Sequence, residues 1–261
     1  MWGNEMKQHM YWFQAILSEC LNTERCRLNM YSDRDEAIKE FSKQQMDLVR
    51  NIDLCPFNGD ISLVSGIDLA YWKENDKEYA VCCIVTVNFR TKKVVETKYL
   101  SDEIRLPYIP GFLSFRELPL ILKTYETLNE TPDIAIFDGN GYLHFRHMGI
   151  ATHASFYIGC PTIGVAKSYL KIDDVDYVMP GNNPGDYSDI VINNEVYGRA
   201  LRTHSNVKPV FVSAGNKIDI DSSTKIVLAL IDKDSYQPLP VRLADIETRK
   251  MRRELSASNN A

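Results

Sequence analysis

IAIFDGNGYLHFRHMGIATH, residues 134–153, decides how the rest of the chain is read. The apolar run Ile134–Phe137 has the length and composition of a strand buried on both faces. It stops at Asp138, and the turn Gly139-Asn140-Gly141 follows. Three histidines (His144, His147 and His153) then fall within ten residues, with Arg146 among them. Gly149 to Tyr157 reads as a helix. A strand ending in a carboxylate, followed by glycines and a helix, is the strand-end geometry at which α/β sheets gather their sites.

Working outward, Gly111 to about Leu128 reads as a helix with Pro119 near its start, where proline is tolerated. A strand, that helix and the strand at Asp133–Asp138 suggest a crossover to a parallel partner. Upstream, Ile61–Tyr71, Tyr79–Phe89 and Lys93–Leu100 are β-branched and closely spaced, as in an antiparallel meander. Downstream, Thr162–Ala166 is a short buried strand, and 173–189 is a polar loop rich in proline and glycine. Val191–Leu201 and Lys208–Val212 read as strands, and Ser222–Ile231 and Val241–Leu255 as helices. Residues 34–51 are helical, with Ile38, Phe41, Leu48 and Val49 along one face. Residues 1–33 show no clear period and are expected as an N-terminal extension to a single catalytic domain, 34–261. The fold class is α/β, a mixed central sheet flanked by helices.

The chain has 261 residues, 44% hydrophobic and 25% charged, ordinary values for a globular domain. Six cysteines form no CxxC pair, which argues against a zinc knuckle or a disulfide framework. Reduced thiols fit a cytoplasmic or nuclear compartment. No stretch approaches the about 18 apolar residues of a membrane span, and the first residues, MWGNEMKQHMYWF, lack signal-peptide character. A net charge of −5 is not the basic footprint of a nucleic-acid binder, unless carboxylates gathered at a metal site account for most of it. Arg249-Lys250-Met251-Arg252-Arg253 is a basic cluster.

Asp68 stands mid-strand in VSGIDLAY, where a carboxylate needs a partner or a metal. If its strand neighbours that of Asp138, the two charges repel unless a cation lies between them. Oxygen ligands favour Mg²⁺, with Mn²⁺ as a substitute. Alone, Glu117 reads as a first-turn glutamate favoured by the helix dipole, and Asp245 in VRLADIETRK as a solvated helical aspartate. Flanked by Leu243 and Ile246, Asp245 is also a candidate to face inward. His144, like its two neighbours, is either a satisfied polar residue or a proton relay beside a metal. Lys167 is either a solvated strand-end lysine or a neutraliser of phosphate charge. Tyr108, stiffened by Pro107 and Pro110, is either a packing tyrosine or a stacking face for a base. The glycine turn is either only a turn or a close approach for a flat ligand.

Together, GIDLAY (66–71), PYIPGFLSFRELP (107–119), DGNGYLHFRHMGIATH (138–153), PTIGVAKSYL (161–170) and VYGRALRT (196–203) resemble the endonuclease V family. KPVFVSAGNKI (208–218) and VRLADI (241–246) match more weakly. The resemblance implies a ribonuclease H-like fold. It also implies Mg²⁺-dependent cleavage at the second phosphodiester 3′ to inosine in RNA or deoxyinosine in DNA, leaving 3′-hydroxyl and 5′-phosphate ends. Asp68, Glu117 and Asp138 match the family's metal positions, and His144 and Lys167 match further active-site positions. Tyr108 matches a strand-separating wedge. Leu113, Gly139, Gly149 and Ile150 match the pocket for the extruded base. Asp245 stands where many bacterial members carry histidine, which resembles the eukaryotic branch and implies RNA as an important substrate. The expected partner is an inosine-containing single strand, RNA or DNA, and the expected enzyme is a monomer. Two other readings are a ribonuclease H-like nuclease of different specificity and an inosine-binding module with a silent metal site.

Overall fold

The meander expected from three β-branched runs forms the first half of the sheet. In the computed structural model, which describes residues 32–258, strand β1 (Leu63–Glu74) pairs antiparallel with β2 (Lys77–Asn88), and β2 with β3 (Val94–Glu103). Asn75 and Asp76 join β1 to β2 with positive φ at both positions, the conformation that short-side-chain polar residues tolerate and that suits the twist of a two-residue hairpin. After helix α2 (Leu113–Tyr125), β4 (Ile134–Asp138) returns parallel to β1, and after α3 (Ile150–Ile158), β5 (Thr162–Ala166) lies parallel to β4. Strands β6 (Tyr187–Ile192), β7 (Glu195–Leu201) and β8 (Val210–Asn216) complete an eight-stranded mixed sheet of order β3-β2-β1-β4-β5-β8-β7-β6. Helix α4 (Ile220–Ala229), a small hairpin of β9 (Ile231–Asp232) and β10 (Ser235–Pro238), and helix α5 (Leu239–Ser258) follow. Helix α1 (Ser32–Val49) belongs to the first of two compact units, Met1–Arg50 and Asn51–Ala261. The expected extension lies, up to residue 31, outside the described residues.

Register determines which side chains share a face, because residues directly paired across strands point the same way and alternate along each strand. Val64 pairs with Ile134 and Gly66 with Ile136. Two steps further along each strand stand Asp68 and Asp138. Val64, Ile134 and Ile136 pack in one core with Val241 and Ala244 of α5. At Gly66 a Cβ would lie 2.1 Å from the Pro240 carbonyl carbon, so glycine lets α5 start directly against the sheet. The alternate positions Ile67 and Phe137 are fully buried, on the opposite face. Each such side chain contributes about 1.5–3 kcal/mol by leaving water.

Several expectations are corrected. Pro119 lies well inside α2, at the seventh position, and not near its start. An interior proline costs about 3 kcal/mol, offset here by a helix with ten buried residues. The run expected as one strand from Val191 is the end of β6, a turn and β7. Asn193 and Asn194, both at positive φ, reverse the chain within it. Strand β6 therefore begins inside the segment read as a polar loop. The β9–β10 hairpin was not anticipated. Asp245, read alone as a solvated helical aspartate, is buried, although Ile246 beside it is 43% exposed.

Candidate active site

Two strands and two helices bring the acidic residues together. Asp68 of β1, Asp138 at the end of β4 and Asp245 of α5 offer carboxylate oxygens that all lie within 4.8 Å of one another. Lys167, one residue beyond β5, lays its Nζ 2.7 Å from Asp138 Oδ2 and 3.0 Å from Asp245 Oδ1. Arg249, one helical turn after Asp245, donates from Nη2 to the same Asp245 Oδ1 at 2.8 Å. The buried Thr248 hydroxyl donates to Asp68 Oδ2 at 2.9 Å. Sequence reading had passed over Thr248 and used Arg249 only as part of a basic cluster. Their i+3 and i+4 spacing from Asp245 is the signal that finds them, because those positions share a helix face.

Glu117 reaches this region from α2 and is not one of the three clustered carboxylates. It is buried, and its Oε1 accepts a 2.5 Å hydrogen bond from the Tyr71 hydroxyl. Burial pushes the Glu117 carboxyl up to about 7, against the Tyr71 hydrogen bond and with the charge of Asp68. Burial likewise raises Asp68 to about 7, helped by the charge of Asp138 and opposed by the Thr248 hydrogen bond and by Lys167. Two carboxyl groups that resist ionisation beside other carboxylates form a place where a cation is favoured. The donor set is oxygen only, which suits a hard divalent ion such as Mg²⁺ or Mn²⁺. The residues fit such an ion. Burial acts to lower the Lys167 pKa, but its hydrogen bonds with Asp138 and Asp245 outweigh that and raise it, so Lys167 stays charged.

The three histidines diverge, and none joins the carboxylate cluster among the described residues. His144 is buried, and its Nδ1 accepts from the backbone N–H groups of Arg146 at 3.3 Å and Met148 at 3.4 Å. Burial and the charge of Arg146 lower its pKa to about 4, so at neutral pH it is uncharged with its proton on Nε2. His147 stacks on Tyr142, ring centroids 4.0 Å apart, with Nε2 3.7 Å from Glu195. His153 is buried beside Ser114, Nδ1 to Oγ 2.7 Å, and burial lowers its pKa to about 3.

The glycine turn closes on the start of α3. The Gly149 N–H donates to Gly141 O at 3.0 Å and the Ala151 N–H to Asn140 O at 3.1 Å. Gly139 has φ +153, and a Cβ there would lie 2.7 Å from Ile150 Cγ2. Gly139, Gly149 and Ile150 are therefore neighbours, directly after Asp138. Leu113 is the first residue of α2, which packs on α3. Tyr108 is 61% exposed, while Ile109 and Phe112 just after it are buried. Arg146 fastens this loop by donating to Gly111 O at 2.9 Å and lying 4.4 Å over the Phe112 ring. Tyr108 thus projects from an anchored loop.

The model of the family described as endonuclease V matches residues 46–246. The chain belongs to the endonuclease V family. Endonuclease V of Bacillus thuringiensis subsp. konkukian is 59% identical over 227 residues, covering 85% of this chain and 96% of that one. The crystal structure of Bacillus subtilis endonuclease V superposes with a TM-score of 0.83 at 49% identity, covering 84% of this chain and 94% of that one. Ciona intestinalis endonuclease V, solved in complex with a DNA containing an inosine followed by a ribo-adenosine, superposes with a TM-score of 0.75 at 28% identity, covering 84% and 99%. The mixed sheet is thus the expected ribonuclease H-like α/β fold, and the protein is a nuclease. The eukaryotic-type grouping drawn from Asp245 finds no support, because these bacterial relatives share far more of the sequence than the Ciona enzyme does. A single aspartate does not sort a branch against identity along most of the chain. The nuclear location allowed by the reduced thiols is likewise unsupported, these relatives being bacterial. Among the described residues no helix is long and apolar enough to cross a membrane.

Proposed function

We propose that this endonuclease V family member cuts RNA or DNA at the second phosphodiester 3′ to an inosine, acting as a monomer on single-stranded or unpaired regions with Mg²⁺ as cofactor. The observation that carries this reading is the acidic cluster of Asp68, Asp138 and Asp245 directly ahead of the Gly139–Gly141 turn. Inosine as the base is supported by the Ciona relative and its inosine-containing DNA.

On this reading Asp68, Asp138 and Asp245, with Glu117 from α2, hold the metal. A bound divalent ion would supply activation of the attacking water and neutralisation of charge on the leaving oxygen. Lys167 adds a fixed positive charge where the phosphate negative charge gathers. His144, uncharged and held through backbone groups, keeps the segment after the glycine turn in place. Gly139, lacking a side chain, lets a flat base approach the backbone, while Gly141 lies against the Ala214 carbonyl of β8. Hypoxanthine lacks the 2-amino group of guanine, so a close-walled pocket with Leu113, Gly149 and Ile150 rejects guanine on size. Tyr108, projecting from its anchored loop, stacks or wedges where the base has left.

The test is cleavage of four single strands of one sequence, RNA and DNA, each with inosine or guanosine at one position, in Mg²⁺, beside an Asp138→Ala control. Cutting of inosine strands only, one nucleotide beyond the base and only by the wild type, supports the reading, and the RNA-to-DNA ratio names the substrate. Equal cutting of guanosine strands removes the base pocket. Inosine strands that are bound but not cut point to a silent metal site.

A further inference from the structure

Strand β1 carries a second polar side chain, on the face away from Asp68, that the chemistry above does not use. Tyr71 follows Asp68 by three positions, so strand alternation turns it to the opposite face of the sheet, the face covered by α2. There its hydroxyl donates to Glu117 Oε1 at 2.5 Å. The ring is itself held: the Arg116 guanidinium lies 4.7 Å over it. Arg116 is buried, and the same guanidinium is fixed through Nη2 to Glu78 Oε1 at 2.9 Å and through Nη1 to Leu106 O at 2.8 Å. The chain of contacts Glu78–Arg116–Tyr71–Glu117 thus runs from β2 to the buried carboxylate.

We infer that Tyr71 is a positioning residue, which occupies one oxygen of Glu117 and so fixes the other as the single oxygen that α2 offers to the cation site. The inference rests on the proposed metal-dependent cleavage and adds to it how Glu117 is presented. A carboxylate on a three-bond side chain rotates, and a buried one with no partner would have several ways to face. A charge-assisted O–H bond to one oxygen removes that freedom, and partners of this kind orient metal-ligating carboxylates. A hydroxyl that served only to satisfy its own hydrogen-bonding capacity would need no guanidinium clamped onto its ring.

Tyr71→Phe deletes the hydroxyl and keeps the ring under Arg116. The experiment measures Mn²⁺ binding to the full chain by calorimetry without nucleic acid, thermal unfolding, and kcat and KM on an inosine-containing single strand. The expected result is Mn²⁺ affinity lowered about 10-fold or more, the range for lost partners of metal ligands. A lower kcat, partly restored by excess Mn²⁺, and an unchanged KM for the strand should accompany it. Wild-type Mn²⁺ affinity and kcat in Tyr71→Phe, or a fall in unfolding temperature alone, overturns the inference while leaving the proposed function standing. A wild-type chain that neither binds Mn²⁺ nor cuts inosine strands overturns both. Should Tyr71→Phe fail to fold, Glu78→Gln weakens the ion pair that holds Arg116. A smaller fall in Mn²⁺ affinity is expected there, and none overturns the inference.

Discussion

Lys167 Nζ lies 2.7 Å from Asp138 Oδ2, closer than to any other carboxylate oxygen it pairs with. β5 runs parallel to β4 with Asp138 opposite Val165, so the residue two positions beyond Val165 ends beside the Asp138 carboxylate. Lysine at that position is a fixed counter-charge for the acidic cluster. Replacing it with methionine keeps the stem and removes the charge. Lys167→Met is expected to lower kcat/KM about 100-fold, the usual size for deleting one group that stabilises developing negative charge. A variant that cuts at the wild-type rate would reduce Lys167 to a bystander.

Acid acts on the fold through two opposed sets of buried groups. The pKa of His153 is lowered to about 3 and that of His144 to about 4, both chiefly by burial, against about 6.5 in an unfolded chain. Below about pH 6.5 the unfolded chain therefore binds more protons than the folded one, and stability is lost as pH falls through that window. Asp68 and Glu117, raised to about 7, act in the opposite sense: the folded chain holds their protons between about pH 4 and 7, so their contribution declines as pH rises through that window. The measurement is chemical unfolding from pH 4.5 to 8 in metal-free buffer for wild type and His153→Asn. Relative to wild type, the variant should gain stability as pH falls from about 6.5 to 4.5. Parallel curves would mean that His153 does not resist protonation in the folded chain.

The same raised carboxyls make metal binding release protons. Mg²⁺ affinity is therefore expected to rise from pH 6 to 8 and then level off, with proton release detectable as buffer-dependent binding heat. An affinity flat across this range would place both groups already ionised in the folded chain.

Gly139→Ala brings a Cβ to 2.7 Å from Ile150 Cγ2 at a φ of +153. The methyl group fills the space between the turn and α3 and strains the backbone. Inosine cleavage should fall at least about 10-fold, a methylene-scale mismatch in a pocket, while Mn²⁺ binding to the free protein persists because no carboxylate is moved. Loss of both together would show that the turn supports the metal site instead of a base.

Tyr108 is the contrasting case. Exposed at 61%, it contributes little to packing, and Tyr108→Ala should change stability by no more than about 0.5 kcal/mol. Cutting of inosine in a duplex should slow, with single-strand cutting much less affected. Unchanged duplex kinetics would leave the aromatic ring without a part in strand opening.

Much of this molecule is written locally. Ile134–Phe137 announces a buried strand by composition alone, and Asp138 ends it because a carboxylate belongs at the rim, where water or a cation can meet it. The carboxylates at 68 and 138 are legible for the same reason: a charged residue inside or at the end of an apolar strand has few uses. The Asn193-Asn194 reversal was not legible, because asparagine tolerates positive φ without requiring it, and the apolar alternation runs on through the turn. Tyr71 was equally silent, and Thr248 showed only that it shares a helix face with Asp245. Nothing in GIDLAY or DIETRK says that a phenol will meet Glu117 from α2 or that a threonine hydroxyl will meet Asp68 from α5. Sequence by itself determined most of the strands, the carboxylates at 68 and 138, and the family. Only the tertiary structure decided which oxygen each carboxylate leaves free, because a hydrogen-bond partner about 50 to 180 residues away along the chain is chosen by packing, and packing exists only after the sheet has formed.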